Sequence, residues 1–333
     1  MIKRLRLICC LWFSCVGDGI QECRNTWEHK KWNITDFPEF ELAITIDRPE
    51  LYYDFLQKDW TRFCHDYWKN NFLEHHTLSQ KRVTRIYIGN QFCHNLFPRK
   101  ELLFQVLEKA LENNLAVTLA FSYIRNHLLE EIDELLQELE VWCQSREKEA
   151  GKDQEEIIVN DWAMPILLQG KPHLKPVLGV LLNKRRKDVR LPYKQGIGNH
   201  VDSLAENNLN CGFYQDYLKN TFDIQRFEFE SCGYKVTIPD GHHSLHLPFF
   251  QTNTSQYCTL YAVCRYGDRG KQKLTENCPR YCNKKVFLYP KHLKMVGRYN
   301  SLFGYDEKIL WDEKQLQDYL EQGIERIVVN VSL

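Results

Sequence analysis

Four cysteines crowd one stretch of the chain, spaced Cys258-x5-Cys264-x13-Cys278-x3-Cys282. Thirteen is an odd number, so they cannot all pair as disulfides, and a metal or cluster site is the first alternative. Soft thiolates at such spacing bind zinc or an iron–sulfur cluster. The residues between them, Tyr266-Gly-Asp-Arg-Gly-Lys-Gln-Lys, are polar and glycine-bearing, as a loop wrapped around such a group would be. A zinc ribbon normally carries two Cys-x2-Cys knuckles, and the chain has none, so iron–sulfur fits better and zinc is the alternative. Taken singly, Cys64, Cys143, Cys211 and Cys232 read as ordinary buried thiols that behave as small hydrophobes.

Two further groups could do chemistry. His242, His243 and His246 lie together and suggest a metal-hydrolase site, but no carboxylate in the sequence completes the set, and histidines beside the Asp240-Gly241 turn are the simpler reading. Neither His-Glu-x-x-His nor Gly-x-Ser-x-Gly occurs, so a peptidase finds little support. The run Lys184-Arg-Arg-Lys187, with Arg190, could meet phosphate or another anion, although most such runs are solvated surface.

These residues must be positioned by the elements around them. From Phe40 onward, short apolar runs alternate with helical patterns. Strand-like runs fall at 40–47, 82–89, 116–121, 156–159, 177–182, 224–230, 244–250 and 327–331. Helical spacing appears between most of them, most clearly at 100–114, where Leu103, Val106, Leu107 and Ala110 recur at i, i+3 and i+4. Alternating β and α units force parallel pairing through right-handed crossovers. Eight repeats without Gly-x-Gly-x-x-Gly point to α/β class, a single (β/α)8 TIM-type barrel whose first and last strands are neighbours.

Barrel active sites sit at the C-terminal ends of the strands. Asp47, Asn90, Asn160, Asp161, Asn183 and Lys184 fall there and outline a polar rim, with Asn160, Asp161, Asn183 and Lys184 the candidates for catalysis. Any one could be a helix cap instead, the simpler reading of Asp161. Cys93 lies just beyond strand two and the cysteine-rich segment follows strand seven, so one early thiol could meet three late ones at the barrel mouth.

Composition is that of a globular chain, 43% hydrophobic and 26% charged in 333 residues. Lys+Arg and Asp+Glu both number 44, so no overall positive field draws in nucleic acid. Residues 1–33 read as a leader and 34–333 as the barrel domain, with its cysteine-rich segment at 258–282. Lys3, Arg4 and Arg6 before the apolar run 7–16 have the outline of a signal peptide, without a small-residue cleavage pattern; a cytoplasmic protein is the expectation. The run is too short to cross a bilayer, which takes about twenty residues.

The segments Arg82-Val-Thr-Arg-Ile-Tyr-Ile-Gly-Asn-Gln-Phe-Cys93, Glu156-Ile-Ile-Val-Asn-Asp-Trp162 and Val177-Leu-Gly-Val-Leu-Leu-Asn-Lys184 resemble parts of the collagenase-like peptidase family, as does Cys278-x3-Cys282 with its preceding cysteines. That family includes anaerobic ubiquinone-hydroxylation accessory proteins and proteins needed to hydroxylate particular tRNA and ribosomal RNA bases. The resemblance runs from about Phe40 to the C-terminus. It implies a barrel carrying a four-iron four-sulfur cluster on Cys93, Cys258, Cys278 and Cys282, with Cys264 as the alternative to Cys258. It further implies oxygen-independent hydroxylation, or a related redox modification, of a small aromatic molecule or an RNA base, and a protein partner of the same family. A peptidase-like hydrolase and a zinc-stapled binding module are the rival functions.

Overall fold

The computed structural model describes residues 13–15, 27–33, 39–150, 154–190, 204–275 and 277–331. Eight parallel strands form one sheet in the order β6-β5-β4-β3-β2-β13-β8-β7. In chain order these are β2 (Glu41–Ile46), β3 (Arg85–Gly89), β4 (Ala116–Ala120), β5 (Glu155–Val159), β6 (Leu174–Leu178), β7 (Glu228–Glu230), β8 (His243–Leu247) and β13 (Ile324–Val329). A parallel bridge from Leu178 to Phe227 joins the two outer strands, so the sheet is a nearly closed (β/α)8 barrel. The first and last strands are neighbours, as the repeat count requires, with Ile327 opposite Leu42.

Alternation along each strand sorts the side chains. Leu42, Ile44, Ile86, Ile88, Leu119, Ile157 and Val329 face outward into the main core beneath the helices. A second, smaller apolar group, Ala43, Tyr87, Ala120, Ile158, Val177 and Val328, lies among the strands themselves. Toward the strand starts the interior is ionic. Arg326 grips both carboxylate oxygens of Glu156 at 2.6 and 3.0 Å and Glu41 at 2.6 Å, while Arg85 meets Glu41 at 2.8 Å. Burial opposes the charge on Glu156, but Arg85 and Arg326 outweigh it and hold the carboxyl down to about 2.

Two features depart from the sequence reading. The fifth strand is Leu174–Leu178, not 177–182, because Gly179 to Leu182 form a turn closed by Leu182 N–H to Gly179 O at 3.1 Å. The run 244–250 divides at Pro248, which has no amide for the ladder: β8 stays in the barrel and β9 (Phe249–Thr254) leaves it. With β1 (Phe13–Cys15), β10 (Lys285–Leu288), β11 (Met295–Arg298) and β12 (Ser301–Tyr305), β9 builds an antiparallel sheet ordered β1-β10-β11-β12-β9. Strands β9 to β12 of this sheet lie between the last two barrel strands in the chain, together with the cysteine-rich segment.

Of residues 1–33, those at 1–12 and 16–26 lie outside the described residues. Phe13–Cys15 pairs antiparallel with β10. Trp27 and Trp32 are buried, the first edge-on to Phe249 at 5.9 Å and the second donating to Ile309 O at 2.9 Å. Among the described residues no helix is long and apolar enough to cross a membrane.

Candidate functional site

The C-terminal ends of the strands border three neighbouring spaces. A small cavity of about 30 Å³, lined by Thr45, Tyr87, Asn90, Glu230 and His246, sits at the barrel axis. Beside it a pocket of about 620 Å³ is bordered by Asn160, Asn183, Lys184, Arg185, Lys187 and Gln251. A third space, about 530 Å³, is a groove along Phe97, Phe121, His127, Cys278 and Arg280. Tyr123 borders both larger spaces, so one side chain separates the pocket from the cysteine groove.

Cys93 is positioned by Asn90. The Asn90 side chain accepts from Phe92 N–H and Cys93 N–H, both at 2.9 Å, and donates to Asp47 O at 3.3 Å, tying the loop after β3 to the end of β2. Cys258 caps the helix Thr259–Tyr266: its sulfur accepts from Tyr261 N–H at 3.3 Å and donates to Tyr299 O at 3.1 Å. Cys282 is buried in a short 3-10 turn whose carbonyl accepts from Arg298 Nε at 3.2 Å.

The thiols act on one another's ionisation. Burial pushes Cys93 up to about 12, with Cys258 and Cys278 adding to the effect. Burial likewise pushes Cys258 up to about 12, with Cys282 and Cys278 contributing. Cys282 rises to about 12 through burial and then Cys93, opposed by the Arg298 guanidinium. The four thiols expected from the resemblance therefore form one electrostatic neighbourhood although Cys93 is remote in sequence. Cys264, on the helix, is raised by burial and opposed by Lys285, and its thiol is outside this mutual set.

Cysteine thiols are the donor set a soft metal or an iron–sulfur cluster takes, since metal binding displaces their protons. Zinc with sulfur at about 2.3 Å draws four ligands to roughly 3.8 Å of one another. Among the described residues no three His, Cys, Asp or Glu side chains are gathered to hold a single ion. A cluster carries its thiolates on the periphery of a larger body. The residues present fit such a group by donor type.

The four polar candidates are engaged by the backbone. Asn160 donates to Phe121 O at 2.7 Å and accepts from Leu181 N–H at 3.1 Å. Asp161 accepts from Ala163 and Met164 N–H at 3.0 Å and from Ile124 N–H, which makes it a turn and cap residue. Lys184 is exposed and donates to Leu181 O at 2.6 Å. Asn183 donates to Glu228 O at 3.2 Å, but its buried Oδ1 has no partner among the described residues. Asn160, Asp161, Asn183 and Lys184 do border one pocket, so parallel strand ends bring them to a common side.

The basic run is only half a surface feature. Arg185 turns inward to Cys232 Sγ at 2.8 Å and Glu230 O at 2.6 Å, and Lys187 meets the Glu230 carboxylate at 2.6 Å. The histidines separate. His246 pairs with Glu228 at 2.5 Å inside the barrel, His243 accepts from Phe227 N–H at 3.2 Å, and exposed His242 meets Glu325. Burial drops His243 to about 4, with Arg226 acting the same way, so it is a neutral packing residue. Sequence reasoning passed over Glu228, Glu230 and Gln251; the inward period of two through Glu228 and Glu230 was the signal for the first two.

No protein-family model matches the chain, and no curated protein matches it significantly.

Proposed function

We propose that this protein is an iron–sulfur barrel protein of the collagenase-like peptidase family, acting in oxygen-independent hydroxylation or a related redox modification of a small aromatic molecule or an RNA base. Cys93, Cys258, Cys278 and Cys282 would hold a four-iron four-sulfur cluster, which supplies one-electron chemistry when bound. The observation that carries this reading is that Cys258 and Cys282 bond to the adjacent residues Tyr299 and Arg298, while Cys278 borders one groove with His94, the residue after Cys93. The 620 Å³ mouth pocket is the substrate chamber in this reading, with Tyr123 between it and the groove beside Cys278. A cytoplasmic setting and a partner barrel of the same family belong to the same proposal.

Arg185 and Lys187 are tied inward to Glu230 and Cys232, which leaves less free charge than the sequence offered for a phosphate backbone. That favours a small molecule or a single extruded base over a long nucleic-acid track. Purification without oxygen, followed by iron, sulfide and visible absorption, tests the proposal; colourless protein free of both elements contradicts it.

A further inference from the structure

The groove beside Cys278, about 530 Å³, has a lining of two kinds. One is apolar. Leu128, Ile132 and Leu135 follow one another at i, i+4 and i+7 into the helix Leu129–Ala150, so they share a face about 10 Å long at a rise of about 1.5 Å per residue. All three are half-buried, which leaves apolar surface open to the groove. Phe97 and Phe121, stacked with ring centroids 4.3 Å apart, add two aromatic rings to the same lining.

The other component is cationic. Arg99 and Arg280 both line the groove, and neither meets a carboxylate within ion-pair distance among the described residues. Glu131 is the acidic residue of this lining. Two guanidinium groups against one carboxylate leave a positive charge here, in a chain whose charges otherwise balance at 44 of each sign. Arg280 is also held at φ 53°, a left-handed backbone that L-residues rarely adopt, so the fold keeps an arginine at this place against a conformational cost.

Apolar surface beside unpaired guanidinium groups suits a ligand that has both an apolar body and an anionic end. The volume is that of a small-molecule pocket, roughly 300–1,000 Å³. A face about 10 Å long falls well short of the roughly 800 Å² that each partner of a stable protein interface buries. We propose that this groove binds a small amphipathic carboxylate, its apolar body along Leu128, Ile132 and Leu135 and its head drawn to Arg99 and Arg280. A carboxylate presents two acceptor oxygens in the plane that a guanidinium fork matches, and its single negative charge balances the lining, which a phosphate dianion would exceed.

This site depends neither on what the cysteines carry nor on the mouth pocket being a substrate chamber. Isothermal titration calorimetry of the full-length protein with decanoate, 1-decanol and acetate tests it. Iron is measured in every sample, because Arg280 lies between Cys278 and Cys282. Wild-type protein should bind one decanoate saturably, decanol about tenfold more weakly and acetate not at all. Arg99→Gln and Arg280→Gln should each weaken decanoate about tenfold while leaving decanol unchanged, and Ile132→Asn should weaken both ligands alike. Arg99 stands exposed ahead of the helix Lys100–Glu112 and its side chain caps nothing, so that variant carries the test if Arg280→Gln fails to fold. Absence of saturable decanoate binding, decanol bound as tightly as decanoate, or undiminished decanoate affinity in either folded arginine variant overturns the proposal. Loss of iron with decanoate affinity intact in Arg280→Gln would assign that arginine to the cysteines alone and overturn it as well.

Discussion

Replacing Arg326 with methionine tests how the barrel floor is held. The Arg326 side chain is 2% exposed and binds Glu156 through two nitrogens, at 2.6 and 3.0 Å, and Glu41 at 2.6 Å. Without it, Glu41 keeps Arg85 at 2.8 Å, while Glu156 is left with Arg85 at 3.4 Å and Arg226 at 3.6 Å. Breaking one side of a buried pair costs about 3–5 kcal/mol, a large share of the 5–15 kcal/mol typical of a domain. A pH signature separates loss of charge pairing from loss of packing. Glu156 falls from 4.5 to about 2 on folding. A depressed carboxyl contributes stability that is fully present above its unfolded value and is lost as pH falls through the folded one. That contribution is about 3 kcal/mol, disappearing between roughly pH 5 and pH 2. Urea unfolding followed by tryptophan fluorescence from pH 7 to pH 3 should show Arg326→Met destabilised by that amount at neutral pH and with a flatter acid limb. A loss under about 1 kcal/mol, or an acid limb as steep as wild type, refutes the reasoning.

Three further outcomes are expected. A Cβ at Gly179 would stand 2.2 Å from Asn160 Oδ1 and 2.7 Å from Ile158 Cγ2, so Gly179→Ala should cost about 1–3 kcal/mol in urea unfolding. Burial lowers His76 to about 4, against its hydrogen bond to Leu310 O; the folded protein should therefore lose stability as pH falls from about 6.5 toward 4, and His76→Gln should flatten that limb of the titration. Cys264→Ser should leave the iron content of anaerobically purified protein unchanged, because that thiol is outside the mutual set, whereas Cys278→Ser should strip iron and activity together.

The barrel was legible because each parallel strand is a short buried run followed by a helix with its own period, and eight such units leave few topologies. The antiparallel sheet was not. Its strands β10 to β12 are four or five residues long, and the hairpin between β11 and β12 turns at Tyr299-Asn300, with Tyr299 at φ 57°, instead of at an Asn-Gly. The shift of the fifth strand has a local cause as well: the apolar run through Leu182 reads as strand, but Asn160 occupies the space beside Gly179 and Leu181 N–H is spent on it. At the site, strand order led to the expectation that the loop after β3 approaches the cysteine-rich segment, and His94, the residue after Cys93, does border one groove with Cys278. The Lys187–Glu230 pair joins residues on separate elements, and Lys187 sits in a run that reads as solvated charge. Only the fold turns it inward.

The central claim is that Cys93, Cys258, Cys278 and Cys282 together hold an iron–sulfur cluster. The most direct measurement is iron, acid-labile sulfide and visible absorption of protein purified without oxygen, wild type beside Cys93→Ser. The account predicts brown wild-type protein with about four irons and four sulfides per chain, both sharply reduced in Cys93→Ser while far-ultraviolet dichroism stays that of a folded barrel. Colourless wild-type protein, or iron and sulfide undiminished in Cys93→Ser, would contradict it.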